Sequence, residues 1–319
     1  MKIYKLSDIS NLESDTAVTV GMFDGVHIGH QHILALLTQE AQRRNLTPIV
    51  VTFDQHPRQI LGGCVGGVNA DQFYRITTND ERYALLERYG IHHVLEIHFT
   101  KELASLSACQ FFEHILLQRL RAKTMVLGYD NAFGSKHRND FEQLPELARH
   151  HDVDVVVDTA LQIKETNVSS TQIRKALKQG DVELATTFLG RHYRLWGMVV
   201  RGRQVGRQLG FPTANVCLDD TSKVMPADGV YAVNVYLQHD AAPRPGMANF
   251  GGQPTFGLDK PVFEVNIFDF DADIYDTVLS VEFVARLRDV QKFSSVPELV
   301  KQLNSDRDRA RHELSTRAE

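Results

Sequence analysis

Ala17-Val18-Thr19-Val20-Gly21-Met22-Phe23-Asp24-Gly25-Val26-His27-Ile28-Gly29-His30 carries an apolar, strand-like run into a glycine-spaced turn. Ile33, Leu37 and Ala41 then recur at helical spacing. The strand–turn–helix unit so defined recurs along the next hundred residues. Apolar runs at Pro48–Phe53, His93–Phe99, Thr124–Leu127 and Val153–Val157 alternate with helix-like stretches at Ile33–Arg44, Glu81–Tyr89, Ala108–Leu120 and Phe141–His150. Such alternation predicts βαβ units and a doubly wound parallel sheet, an α/β architecture that binds ligands at the carboxyl ends of its strands.

The rhythm changes near Ser170. Two short helices are expected there, with Gly180 as a stop and Asp181 as the next cap. From about Tyr193 to Phe283, β-rich runs (Trp196–Val200, Val230–Tyr236, Phe263–Phe268, Leu279–Phe283) are separated by Gly, Pro, Asn and Asp. These predict a small antiparallel barrel or sandwich. Ser295-Val296-Pro297-Glu298 has capping-box spacing with Pro in the first turn, and Val296, Leu299, Val300 and Leu303 form the expected buried stripe of a final helix. The boundary is expected near 185–190, giving domains 1–186 and 187–319.

At 319 residues the chain is long enough for two cores. A formal charge of −5 argues against a non-specific polyanion binder, so no nucleic-acid partner is expected. Cys64, Cys109 and Cys217 are widely separated and form no CxxC spacing, so neither a zinc site nor a disulfide framework is indicated. The opening residues lack a signal-peptide core, and no run approaches a membrane span, so a cytoplasmic location and no membrane partner are expected. Oligomeric state leaves no mark on the sequence.

Gly25 and Gly29 allow backbone N–H groups to approach a ligand, and the following helix presents its positive end, a setting suited to phosphate. His27 and His30, three apart, are placed to donate to a phosphoryl group as its charge grows. A lone pair of histidines at such a corner is more often plain surface. Here a second element, Val168-Ser169-Ser170-Thr171-Gln172-Ile173-Arg174, offers hydroxyls at a helix start and an arginine one turn on. Together the two segments resemble the HxGH nucleotidyltransferase superfamily. The resemblance implies that Gly21, Phe23, Asp24, Gly25, Gly29, Ser170, Thr171 and Arg174 hold ATP, that His27 and His30 are catalytic, and that attack at the α-phosphate releases pyrophosphate.

The second constellation is Gly202-Arg203-Gln204-Val205-Gly206-Arg207-Gln208-Leu209-Gly210-Phe211-Pro212-Thr213-Ala214-Asn215. Its glycines fit neither GxGxxG nor a Walker loop, but they let backbone wrap a nucleotide, while Thr213 and Asn215 offer hard oxygens suited to Mg²⁺. Leu189-Gly190-Arg191, Asp228-Gly229-Val230-Tyr231, Asn249…Pro254-Thr255-Phe256, Phe263-Glu264-Val265 and Leu287-Arg288…Lys292-Phe293 complete an ordered set. This set resembles the riboflavin kinase domain. With the HxGH segment upstream, residues 15–310 resemble prokaryotic bifunctional riboflavin kinase/FMN adenylyltransferases.

That resemblance implies a Rossmann-like HxGH domain followed by a six-stranded antiparallel barrel with a terminal helix. Its partners are riboflavin, FMN, FAD and ATP, and Mg²⁺ is its metal. It implies Glu264 as general base, Thr213 and Asn215 as Mg²⁺ ligands, and Gly202, Gly206, Gly210 and Pro212 around ATP. His56, Asp130, Phe133, Arg288 and Phe293 are placed around flavin. The chain departs from the family pattern at Gln55, Asn131, Ala132, His137 and Asn139, and again at Gln253, Asn266, Asp276 and Val290. A kinase with a weakened adenylyltransferase half, and a catalytically silent flavin-binding module, remain as alternatives.

Overall fold

A computed structural model describes residues 1–9, 12–56, 60, 74–128, 138–158, 162–163, 166–202, 204–238, 240, 242–253 and 258–317. The chain divides into two compact units, Met1–Ser170 and Thr171–Glu319.

The first unit is built on six strands, β1 (Lys2–Lys5), β2 (Thr16–Val20), β3 (Thr47–Phe53), β4 (His93–Ile97), β5 (Ala122–Leu127) and β6 (Asp154–Val157). They lie in the order β1-β4-β3-β2-β5-β6, and every pairing is parallel. Alternate residues feed two cores, as a sheet covered on both faces requires. Val18, Val20, Ile49, Val51, Met125 and Leu127 pack on one side with Phe112 and Leu116. Ala17, Val50, Val94 and Val126 pack on the other, against Leu34, Leu37 and Ala41 of the helix Ile28–Arg44. That helix starts five residues earlier than periodicity suggested, inside the HxGH string itself. A π-helical turn at Phe112–Leu117 ends the expected helix from Ala108. The strand order reverses between β2 and β5, so the turn after β2 opens at the topological switch point, where such sheets bind ligands.

A two-residue ladder, β7 (Gln162–Ile163) with β8 (Thr166–Asn167), leads to Ser170. The helix Ser170–Lys178 opens on the last residue of the first unit, and Val182–Leu189 follows in the second, with Gly180 left-handed at φ 77° and Asp181 capping Leu184 N–H at 2.9 Å. A closed antiparallel barrel follows, made of β9 (Tyr193–Val200), β10 (Ala214–Leu218), β11 (Gly229–Leu237), β12 (Arg244–Gln253), β13 (Leu258–Ile267) and β14 (Val278–Arg288). Their order is β10-β13-β12-β11-β14-β9, with β9 returning to β10. The helix Val296–Thr316 lies against one side, burying Ala310 with Phe211, Met247 and Leu287. Ser295 caps it as expected, but Val296 is 50% exposed and not part of the buried stripe. Val296 stands in the first turn, ahead of Leu299, the first buried residue of the helix; Val300 and Leu303 pack against the barrel core as expected, and Asp306 and Ala310 extend the stripe.

Candidate active sites

At the carboxyl end of β2 the backbone doubles back within six residues. Phe23 (φ 50°), Gly25 (φ 83°) and Val26 (φ 37°) all take positive φ. For a β-branched residue such as Val26 this is rare and costs about 1–3 kcal/mol, so the surroundings must enforce it. Asp24 supplies that force. Its carboxylate, 4% exposed, accepts from Ile76 N–H at 2.9 Å and Thr77 N–H at 3.1 Å, while Gly25 N–H donates to Thr77 Oγ1 at 3.0 Å. Arg82 works from below, donating to the carbonyls of Met22 (3.0 Å) and Phe53 (2.9 Å), which lie just past β2 and at the end of β3. Burial pushes its pKa down to about 10, with Asp24 partly opposing, so it is a cation at neutral pH.

His27 caps the helix in an unusual way: its Nδ1 accepts from His30 N–H at 3.3 Å. That geometry puts the ring proton on Nε2, leaving it as the donor directed elsewhere. The His27 and His30 rings stack with centroids 3.6 Å apart, and Phe23 backs His30 at 5.0 Å. A Cβ on Gly29 would come within 3.2 Å of His27 Nδ1, so the glycine makes room for the stack. Ser170 Oγ donates to Asp24 O at 2.8 Å, bringing the distal serine onto the HxGH turn. Thr171 and Arg174 lie on the helix that begins there. His56 stands three residues beyond β3 and is half-buried, whereas Asp130 and Phe133 lie outside the described residues.

In the barrel the ladders align the second set. Asn215 on β10 pairs directly with Glu264 on β13, and Glu264 pairs in turn with Asn249 on β12. Directly opposed residues share a face, so an amide, a carboxylate and an amide form one row across three strands, about 5 Å apart. Gly202 lies under this row: a Cβ there would meet Asn215 Cγ at 2.5 Å and Oδ1 at 2.8 Å. Gly206 backs the chain just before Thr213, and its Cβ would sit 3.3 Å from Thr213 Oγ1. A cleft of about 180 Å³ opens beside Thr213, lined also by Gln204, Arg207 and Tyr275. Gln204 donates to Tyr275 OH at 3.1 Å, and the Arg201 guanidinium lies 4.7 Å from the Tyr275 ring.

Arg288 and Phe293 do come together, with the guanidinium 5.6 Å from the ring. Arg288, half-buried, also pairs with the buried Asp306, its Nε and Nη2 lying 2.9 and 2.7 Å from Oδ2, so its first duty is to fix the terminal helix. Two departures from the family pattern acquire reasons. Asp276 takes φ 60°, a conformation Asp tolerates better than most side chains. Asn266 is buried and donates to Pro212 O at 2.6 Å. Sequence reasoning missed Thr77, Arg82 and the Tyr275 wall, because none carries a local motif, and met Asn266 only as a departure from the family pattern.

Residues 9–172 match the family described as FAD synthetase, and residues 189–314 match the riboflavin kinase family. The chain belongs to the bifunctional riboflavin kinase/FMN adenylyltransferase family. A member of that name from Bacillus subtilis is 33% identical over 95% of this chain and 93% of its own. The Haemophilus influenzae member is 36% identical over 91% of each chain. A crystal structure described as a macrolide-efflux protein of Streptococcus pneumoniae superposes with a TM-score of 0.85 at 35% identity, covering 97% of this chain and 98% of the other. Among the described residues no helix is long and apolar enough to cross a membrane.

Proposed function

We propose that the chain makes FAD in two steps: riboflavin and ATP give FMN and ADP, then FMN and a second ATP give FAD and pyrophosphate. The observation that carries the first step is the direct pairing of Asn215 with Glu264 across β10 and β13. Glu264 takes the proton of the ribityl 5′-hydroxyl as that oxygen attacks the γ-phosphoryl group and ADP departs. Phosphoryl transfer asks mainly for positioning, charge neutralisation and a proton acceptor, and one carboxylate beside neutral oxygens meets those needs.

The donor set suits Mg²⁺ held chiefly by nucleotide phosphates. Thr213 and Asn215 offer two neutral oxygens, and no group of three or more His, Cys, Asp or Glu capable of caging a metal occurs among the described residues. When bound there, Mg²⁺ would neutralise charge on the β- and γ-phosphates. Gly202, Gly206, Gly210 and Pro212 shape the backbone on which ATP lies.

In the parallel-sheet unit, His27 and His30 stabilise the α-phosphoryl group as the FMN phosphate oxygen attacks it and the bond to pyrophosphate breaks. Gly21, Phe23, Asp24, Gly25 and Gly29 form the turn, with Asp24 acting through the backbone it clamps. Ser170, Thr171 and Arg174 complete the phosphate contacts in this reading. For that reason we place the functional boundary at 186/187, so that the helix Ser170–Lys178 serves adenylyl transfer. His56, Asp130, Phe133, Arg288 and Phe293 are assigned to flavin, and the location to the cytoplasm.

One assay tests all of this. Pure protein is incubated with riboflavin, ATP and Mg²⁺, and the flavins are separated by chromatography. FAD is the expected product; FMN alone supports a kinase with a silent adenylyltransferase half, and no turnover refutes the enzyme reading. Glu264→Gln should stop FMN formation while FAD still forms from supplied FMN, and His30→Ala should do the reverse. Equal loss of both steps in either variant would contradict separate sites.

A further inference from the structure

We propose that Asn266 is a positioning residue for the kinase step, setting the separation between the Glu264 carboxylate and the Thr213 and Asn215 oxygens. The proposal rests on the assignment of riboflavin phosphorylation to the barrel.

The β10–β13 ladder consists of two pairs, Ala214 with Val265 and Asn215 with Glu264, and stops there. Thr213, one residue further along, has no backbone ladder partner on β13. Two residues beyond Glu264, and therefore on the same face of the strand, Asn266 continues the tie with its side chain. Its Nδ2 donates to Pro212 O at 2.6 Å, and the residue is only 6% exposed. The bond resists opening from the Asn266 side, because Asn266 is buried and breaking it strands the amide away from water, while Pro212 is exposed.

Pro212 makes that one bond effective. Its ring fixes φ, so holding its carbonyl fixes the plane of the Pro212–Thr213 peptide. Thr213 follows that plane directly, and Asn215 is anchored from the other side by its ladder partner Glu264. The far end of the segment is seated too: Phe211 is buried with Ala310 and Met247. One strand thus carries the proton acceptor and, two residues later, the tether of the segment that carries the metal oxygens. Loss of the tether would let Thr213 drift relative to Glu264 without opening the barrel, because the backbone of Asn266 stays paired with Met247 in the β12–β13 ladder.

The test compares Asn266→Ala, which deletes the donor, with Asn266→His, whose ring N–H can replace it. Riboflavin phosphorylation is measured against Mg²⁺ concentration, and ADP binding is titrated calorimetrically with and without Mg²⁺. For Asn266→Ala, kcat/KM should fall by about 10- to 100-fold, as expected for loss of positioning on the ångström scale. The Mg²⁺ concentration giving half-maximal rate should rise, and ADP affinity should fall only when Mg²⁺ is present. Asn266→His should recover most of the loss, and FMN adenylation should be unchanged in both. If Asn266→Ala does not fold, Asn266→Leu, which keeps the volume without the donor, carries the same measurements. A fall in rate and thermal midpoint with Mg²⁺ dependence unmoved would overturn the proposal, as would wild-type behaviour. Absence of riboflavin phosphorylation in the wild type would instead refute the functional reading, and the Mg²⁺-dependent ADP titration would still decide the role of Asn266.

Discussion

Gly202→Ala is a small change with a sharply confined consequence. The added methyl would lie 2.5 Å from Asn215 Cγ and 2.8 Å from Oδ1, where non-bonded carbons need about 3.5–4.0 Å. The Asn215 amide must therefore retreat by about 1 Å. Gly202 does not occupy the positive-φ region, so alanine brings no backbone strain, and its smaller unfolded-state entropy is worth about 0.4–1 kcal/mol in favour of the fold. Stability should change little. A displacement of about 1 Å in a positioned group costs on the order of 100-fold in rate, equivalent to about 2.7 kcal/mol of transition-state stabilisation. Riboflavin phosphorylation should fall by about that factor, while FAD formation from supplied FMN stays at the wild-type level. Both rates come from the same chromatographic separation, and a thermal melt accompanies them. Kinase activity within about 3-fold of wild type would remove Asn215 from the reacting site. A parallel loss of thermal stability and both activities would make Gly202 a residue of the fold instead.

Three contacts elsewhere give further expected outcomes. Asp306→Asn leaves the half-buried Arg288 cation without its counter-charge and should cost about 1–3 kcal/mol in urea unfolding; replacing both by apolar residues should recover most of it. Asp24→Asn exchanges a carboxylate that accepts the Ile76 and Thr77 N–H groups for an amide with one acceptor oxygen, so about 1–3 kcal/mol of stability and the FMN-to-FAD step should be lost together, with phosphorylation retained. Burial holds the His192 imidazole below its ordinary pKa, Glu282 opposing and Arg317 reinforcing the shift. The unfolded chain therefore binds this proton more tightly, so stability is full above the ordinary value near 6.5 and declines as pH falls below it, until the folded-state group is itself protonated. His192→Gln should flatten the decline of the melting temperature across that interval, and an unaltered slope would contradict the assignment.

What the sequence made legible was what repeats or clusters along it. β2 and its turn were visible because five apolar-to-small residues run into spaced glycines, and the helix after them because Ile33, Leu37 and Ala41 share a face. β1 was not visible: it is short, polar and mostly exposed, and its strand character comes from pairing with β4 some ninety residues away. β12 was missed for a related reason. Arg244–Gln253 contains Pro245, Gly246, Gly251 and Gly252, a composition that argues for a turn, yet neighbours on both sides hold it extended. The site followed the same division. HxGH, SSTxxR and the Gly202–Asn215 string announce themselves, whereas the Asp24–Thr77 clamp, the Arg82 anchor and the Asn266–Pro212 tether join residues between 29 and 60 positions apart. Such contacts have no period and no spacing to read.

Barrel closure also imposes an order on synthesis. β9, its first strand, takes β14, its last, as a neighbour, with register from Tyr193–Phe283 to Met198–Val278. Until the ribosome has delivered the chain through Arg288, β9 and β11 each keep an edge able to pair with other strands, and open edges of this kind promote aggregation. The parallel sheet has no such debt to the C-terminal half, because its last strand ends at Val157. A nascent chain therefore passes through a stage with one finished sheet and one unclosed barrel. Truncations between β13 and β14 should populate that stage permanently and report it as insoluble protein that retains a protease-resistant N-terminal fragment.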